Sequence, residues 1–189
     1  MQNPRKTTAN ASKAVVPVLL ACSFAASFSE SMMSISLPKL ADEFSLTLSV
    51  ANWVVVGYLV VAATSVTLAA FLLKRFGLRV VFFLGGGALA LGSGLAMLAP
   101  SFPALFVCRL LQAVCTGLFF PTVTGVIMIV IPKESLGVHL AMNSGIIALG
   151  LAISPVASGF MLTYFGWRAM FFVPFVLAAV LLVAGFFLL

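Results

Sequence analysis

Glu30 and Arg109 are ionisable residues set inside long apolar runs. A charge surrounded by hydrocarbon is costly unless it is paired, wetted or part of a pathway for ions or protons, so both are candidate functional residues. Around the acid, Ser23, Ser27, Glu30, Ser31 and Ser34 recur at i, i+4, i+7, i+8 and i+11 and occupy one face of a helix. A second stripe, Arg109, Gln112 and Thr116, follows i, i+3, i+7. Lipid offers no hydrogen bonds, so each stripe must face another helix or water, and two stripes of opposite charge point to a shared polar cavity. On this reading Glu30, Arg109, Gln112, Ser27, Ser31, Ser34 and Thr116 line the cavity. The competing reading is a structural ion pair flanked by serine packing faces.

The elements that carry these residues follow from composition. Of 189 residues, 63% are hydrophobic and only 7% charged, and the mean hydropathy is +1.26, which excludes a water-soluble fold. Each crossing of a bilayer takes about 20 apolar residues. Apolar runs bounded by charge, Pro or Gly predict six spans near 14–37, 50–73, 80–99, 104–131, 140–163 and 169–189, after a polar tail over 1–13. All must be helical, because an open sheet leaves backbone groups unsatisfied in lipid. The first run continues past Cys22 to Leu37, longer than a signal-peptide core, so it reads as an uncleaved span. In this frame Glu30 and Arg109 lie about 10 and 8 Å below the same surface at 1.5 Å per residue, close enough to pair or to share one cavity. Lys and Arg divide unevenly: Arg5, Lys6, Lys13, Lys74, Arg75, Arg79 and Lys133 fall on one side, Lys39 and Arg168 on the other. The positive-inside rule then places the N-terminus in the cytoplasm.

The chain also repeats itself. Phe76-Gly77-Leu78-Arg79-Val80-Val81-Phe82-Phe83 matches Phe165-Gly166-Trp167-Arg168-Ala169-Met170-Phe171-Phe172 as F-G-x-R-x-x-F-F, each time opening the third helix of a triplet. The same shift lays span 1 on span 4 and span 2 on span 5. Three being odd, the second triplet crosses in the opposite sense, which predicts two inverted three-helix repeats.

Other chemistries find no support. The net charge of +6 is scattered between apolar runs rather than gathered on one face, so no nucleic-acid partner is expected. His139 has no second ligand at metal spacing. Gly85, Gly86, Gly87, Gly92 and Gly94 form a packing surface and not a phosphate loop, and no cofactor is expected. Asn143-Ser144-Gly145 has no later histidine to act as a base, and the chain does not read as an enzyme. In span 5, Asn143, Gly150, Ser154 and Ser158 share a face and Pro155 interrupts the hydrogen-bond ladder, predicting a bent helix in tight contact with a partner helix.

Several phrases resemble the drug/proton antiporters of the major facilitator superfamily. Leu37-Pro38-Lys39-Leu40-Ala41-Asp42-Glu43-Phe44, then Asn52-Trp53 and Gly57-Tyr58-Leu59, is similar to that family's passage from helix 1 to helix 2. The segment Ala70 to Arg79 resembles its cytoplasmic loop motif G-x-L-a-D-R-x-G-R-R: Arg75, Gly77 and Arg79 match, whereas Lys74 replaces the Asp that latches the two halves. Arg109-Leu110-Leu111-Gln112-Ala113 is similar to the element R-x-x-Q-G, whose Arg is implicated in proton coupling. Gly150, Ser154, Pro155, Ser158 and Gly159 resemble the antiporter motif G-x-x-x-G-P-x-x-G-G with two glycines changed to serine. The family's helix 1 acid aligns with Ser29, so Glu30 does not inherit its role.

The resemblance covers the chain from about Val15 onward and implies an N-terminal six-helix half in a plasma membrane, in bacteria the inner membrane. It implies proton-coupled export of small hydrophobic or cationic compounds by alternating access, with a second six-helix half or a homodimer partner completing the cavity. The alternative is a non-transporting half-length membrane protein that binds or regulates a partner, which Lys74 and the lost glycines favour.

Overall fold

A computed structural model describes the backbone of residues 4–188 and the side chains of residues 15–188. The tail cations Arg5, Lys6 and Lys13 therefore lie outside the described side chains. The regular elements are helical: α1 (Pro4–Ser31), α2 (Leu37–Glu43), α3 (Leu48–Ala51), α4 (Trp53–Met97), α5 (Phe102–Val130), α6 (Lys133–Tyr164), a 3-10 turn (Trp167–Phe171) and α7 (Phe172–Leu188).

Three boundaries differ from the sequence reading. Helix α1 starts at Pro4, so most of the segment read as a tail continues the first helix. It ends at Ser31 rather than Leu37: residues 32–36 turn, and α2 begins afresh with proline in its first turn, where the missing N–H costs nothing. Spans 2 and 3 are joined by no loop at all. Helix α4 runs through residues 70–79 and departs from helical geometry only at Gly77 (φ 80°, ψ 172°).

That one residue reverses the chain, as the contacts of α5 show. Along α5 from Phe106 through Thr116 to Gly117, the partners in α4 are Gly57, Tyr58 and then Ala62 and Ser65, so the first arm of α4 is parallel to α5. From Gln112 to Phe119 the partners fall from Ser93 to Gly85, so the second arm is antiparallel. A positive φ is open to glycine without steric cost and closed to most other residues. Gly166, the matching position of the repeat, has φ 84° and ψ 173°.

The repeat extends to the packing. Ser154 Oγ donates to the Phe28 carbonyl at 2.6 Å, holding α6 parallel to α1. Adding the spacing between Gly77 and Gly166 to Phe28 gives Gly117, and subtracting it from Ser154 gives Ser65. Gly117 and Ser65 are themselves packed together across α5 and the first arm of α4. The fold is an all-α membrane bundle of two inverted three-helix repeats, with six crossings supplied by α1, the two arms of α4, α5, α6 and α7. Its four longest apolar stretches include Leu48–Met97, whose 50 residues exceed twice what one crossing needs.

At the end of the bundle carrying α2 and α3, Lys39 Nζ donates to the Leu162 carbonyl at 3.0 Å, filling an orphan acceptor in the last turn of α6. Phe44, Phe102, Trp167 and Phe171 cluster beside it with ring centroids 5.6–6.4 Å apart.

Candidate functional site

Arg109 is 0% exposed, and the apolar residues around it on α5 hold its side chain inward against α1 and α4. Its Nη1 donates to the Ser29 carbonyl at 3.0 Å and to Gln112 Oε1 at 2.8 Å. Gln112 Nε2 passes the chain on to Ser93 Oγ at 2.7 Å. That reach depends on Gly92, where a Cβ would stand 2.8 Å from the Cys108 carbonyl and 3.0 Å from the Gln112 amide. The guanidinium lies over the Tyr58 ring, 4.3 Å from its centroid, and the low dielectric strengthens this cation–π contact. Tyr58 Oη and Thr116 Oγ1 are 2.5 Å apart, and Thr116 donates its one proton to the Ala26 carbonyl at 3.3 Å, so Tyr58 is the donor in that pair.

The charge is left partly unanswered. Arg109 Nε and Nη2 have no hydrogen-bond partner, nor does the buried Ser29 Oγ. Among the described residues no carboxylate forms an ion pair with Arg109, so the direct Glu30–Arg109 bridge is absent; its Nη1 partners are a carbonyl and an amide. The two charges meet differently. A cavity of about 240 Å³ is lined by Glu30, Ser31, Ser34, Tyr58, Arg109 and Leu151 among others. Glu30 is half-buried at this cavity, and Arg109 borders it without exposing surface of its own. Ser34 also lines a second cavity of about 400 Å³ with Asn52 and Ser49.

The two polar stripes thus divide. Glu30, Ser31 and Ser34 line the cavity, but Ser27 does not: it lies in the α1–α6 seam against Gly150 and donates to the Phe24 carbonyl at 3.0 Å. Ser23 is there too, donating to Asn143 Oδ1 at 2.7 Å. Gln112 and Thr116 sit behind Arg109 in the buried network instead of lining the cavity, because α5 is enclosed by α1 and both arms of α4. Gly150, Ser154 and Ser158 share the face of α6 that packs on α1, and Pro155 and Gly159 turn partly away. Helix α6 is continuous through Pro155.

The Lys74 motif is far from this cavity. Lys74 borders a separate cavity of about 370 Å³ with Leu73, Pro121, Thr122 and Gly125 between α4 and α5. Arg75 stands 5.9 and 5.7 Å from the rings of Phe71 and Phe76, and Arg79 is exposed. No cluster of metal-ligating side chains occurs among the described residues.

Sequence reasoning passed over three participants. Tyr58 is an aromatic in an apolar run, Ser93 a small residue in a glycine-rich one, and Leu151 contributes a backbone carbonyl. Pro155, four residues on, is the signal that marks Leu151.

A six-helix bundle with inverted repeats and a buried polar layer is the architecture of a secondary-transporter half. The chain belongs to the Major Facilitator Superfamily, whose model matches residues 19–189, and so to a family of transporters, not enzymes. It is 30% identical over 171 residues to an uncharacterized MFS-type transporter, YhcA, of Bacillus subtilis, covering 90% of this chain and 32% of the relative. It is 32% identical over 181 residues to the lincomycin resistance protein LmrB of the same organism, covering 92% and 38%. The tetracenomycin C resistance and export protein of Streptomyces glaucescens is 29% identical over 154 residues, covering 82% and 29%. A crystal structure of a D-xylose-proton symporter superimposes with a TM-score of 0.79 at 18% identity, over 92% of this chain and 47% of that one, a likeness of fold alone. The chain spans about a third of the length of these curated relatives. It is an integral, multi-pass membrane protein.

Proposed function

We propose that this chain forms the N-terminal six-helix half of a proton-coupled exporter of small hydrophobic or cationic compounds, working by alternating access in the plasma membrane, the inner membrane of a bacterium. One observation carries the reading: Arg109 is a fully buried cation with unpartnered N–H groups, bordering a cavity that also holds Glu30. An arginine at membrane depth is costly unless it is paired or wetted, and the cavity it shares with Glu30 is where water, a proton or substrate can reach both charges. The resistance and export proteins among the relatives support export as the direction. Glu30, Ser31 and Ser34 form the wet face, and Arg109 with Gln112, Ser93, Tyr58 and Thr116 forms the responsive layer behind it. The N-terminus lies in the cytoplasm, and a second six-helix unit closes the cavity.

The test is proton-dependent efflux of a lipophilic cationic dye from cells carrying the complete protein. Arg109→Ala and Glu30→Gln should each reduce it; unchanged efflux in both would remove the assigned roles. A second reading, a non-transporting unit that binds or regulates a partner, draws on Lys74 in place of the family's acid and on the uncovered apolar face of α6, where Val156 is 74% and Phe160 58% exposed. Crosslinking from Val156 in native membranes separates the two, since the second reading requires capture of a distinct protein without any efflux.

A further inference from the structure

The cavity beside Glu30 has an acceptor that no side chain supplies. Pro155 has no N–H, so the Leu151 carbonyl one turn before it loses the donor that an α-helix would provide, and the proline ring crowds that oxygen away from the helix axis. Leu151 and Ser31 both line the cavity, and the oxygen accepts from Ser31 Oγ at 3.3 Å, long for a hydroxyl donor and enough for only one of two lone pairs. Pro121 likewise releases the Gly117 carbonyl in α5, but Gly117 lies in a packed seam against Ala62 and Ser65 and borders no polar cavity. Of these two released carbonyls, Leu151 is therefore the one whose residue borders the polar cavity.

What it would recognise follows from the charges. Glu30 and Arg109 at one cavity cancel to first order, so net charge alone selects weakly there, whereas a carbonyl demands a donor along its lone pair. The cavity, about 240 Å³, is smaller than the roughly 300–1,000 Å³ that encloses a drug-sized ligand. It suits a polar head group whose apolar body lies outside. We propose that the Leu151 carbonyl accepts the N–H of a protonated amine head group, so that the site prefers protonated amines to quaternary ammonium ions of the same shape. This deepens, and rests on, the export reading of the same cavity.

The experiment uses the complete protein in nanodiscs with two probes: a lipophilic tertiary amine in its protonated form and its N-methyl quaternary salt. The wild type should bind the amine roughly tenfold or more tightly, the worth of one charge-assisted hydrogen bond. Pro155→Ala returns an N–H to Leu151 and should bring the two probes near parity with quaternary binding unchanged, which also reports that the variant is folded. Ser31→Ala removes the competing donor and should widen the preference, and it decides the matter alone if Pro155→Ala does not fold. Equal binding of both probes by the wild type, or a preference that survives Pro155→Ala or fails to widen in Ser31→Ala, overturns the proposal while leaving export standing. Binding of neither probe overturns both.

Discussion

Helix α1 touches two neighbours, and it treats them differently. Toward α6 the contacts are neutral: Ser23 meets Asn143, Ser154 meets the Phe28 carbonyl, and Gly150 lets the backbones close over Ser27, while the buried Ser158 hydroxyl has no protein partner. Toward α5 the same helix presents the Ser29 and Ala26 carbonyls to a network that includes a full charge and leaves donors unused. The first seam is uncharged, while the second buries a full charge beside the cavity that holds Glu30. Since α5 is the repeat partner of α1, the contrast shows how inverted copies of one packing scheme come to hold different chemistry by changing only the side chains in the middle of a helix.

The sharpest way to break this contrast is Arg109→Met. Methionine removes the charge but leaves the Ser29 carbonyl and Gln112 Oε1 without the donor that Arg109 supplied, at a cost of about 1–3 kcal/mol for each buried group left unsatisfied. On the export reading the variant should lose proton-driven efflux altogether while staying folded in detergent with a lowered melting temperature; retained efflux in a folded variant would make Arg109 a structural member. Next come the paired glycines. Gly117→Val pushes a side chain onto the Ala62 backbone and Gly150→Val pushes one onto the movable Ser27 side chain, so both destabilise, by about 1–3 kcal/mol, with Gly117→Val the worse of the two. Thermal unfolding of both variants checks the order. A double-mutant cycle on Ser23→Ala and Asn143→Ala should return a coupling of only about 0.6 kcal/mol, the mean for interhelical hydrogen bonds in a bilayer. Gly159→Ala should change stability by less than about 0.5 kcal/mol, because nothing lies within 4 Å of the added carbon. A large loss there would place an uncharted contact on the face of α6 that carries Val156.

Much of the fold was legible because it is written in patterns longer than one contact. The F-G-x-R-x-x-F-F repeat named Gly77 and Gly166, whose dihedrals agree within a few degrees, and the apolar composition marked the helices as membrane ones. The end of α1 was not, since Met32 and Met33 continue the apolar run through a turn whose signal, Pro38 in the first turn of α2, lies beyond it. In the candidate site, charge in an apolar run singled out Glu30 and Arg109, and depth along the helices left a direct pair and a shared cavity both open: depth fixes the layer but not the rotamer, and Arg109 turns to Ser29 and Gln112 while sharing a cavity with the acid. Ser27 was misassigned for the same reason, since one polar stripe can serve two neighbours. Contacts to backbone oxygens, as at Ser29, Ala26 and Leu151, are invisible to residue types unless a proline advertises them.

Gly77 carries one more implication. A hairpin of two crossings that turns on a single residue has no slack, so its arms cannot slide lengthwise past each other as a jointed lever would. With α5 gripped between those arms through Gln112, Thr116 and Gly117, the assembly behaves as one stiff plate. Any motion of one part of the bundle against another must then take place at the edges of that plate, leaving its interior as still as a keystone.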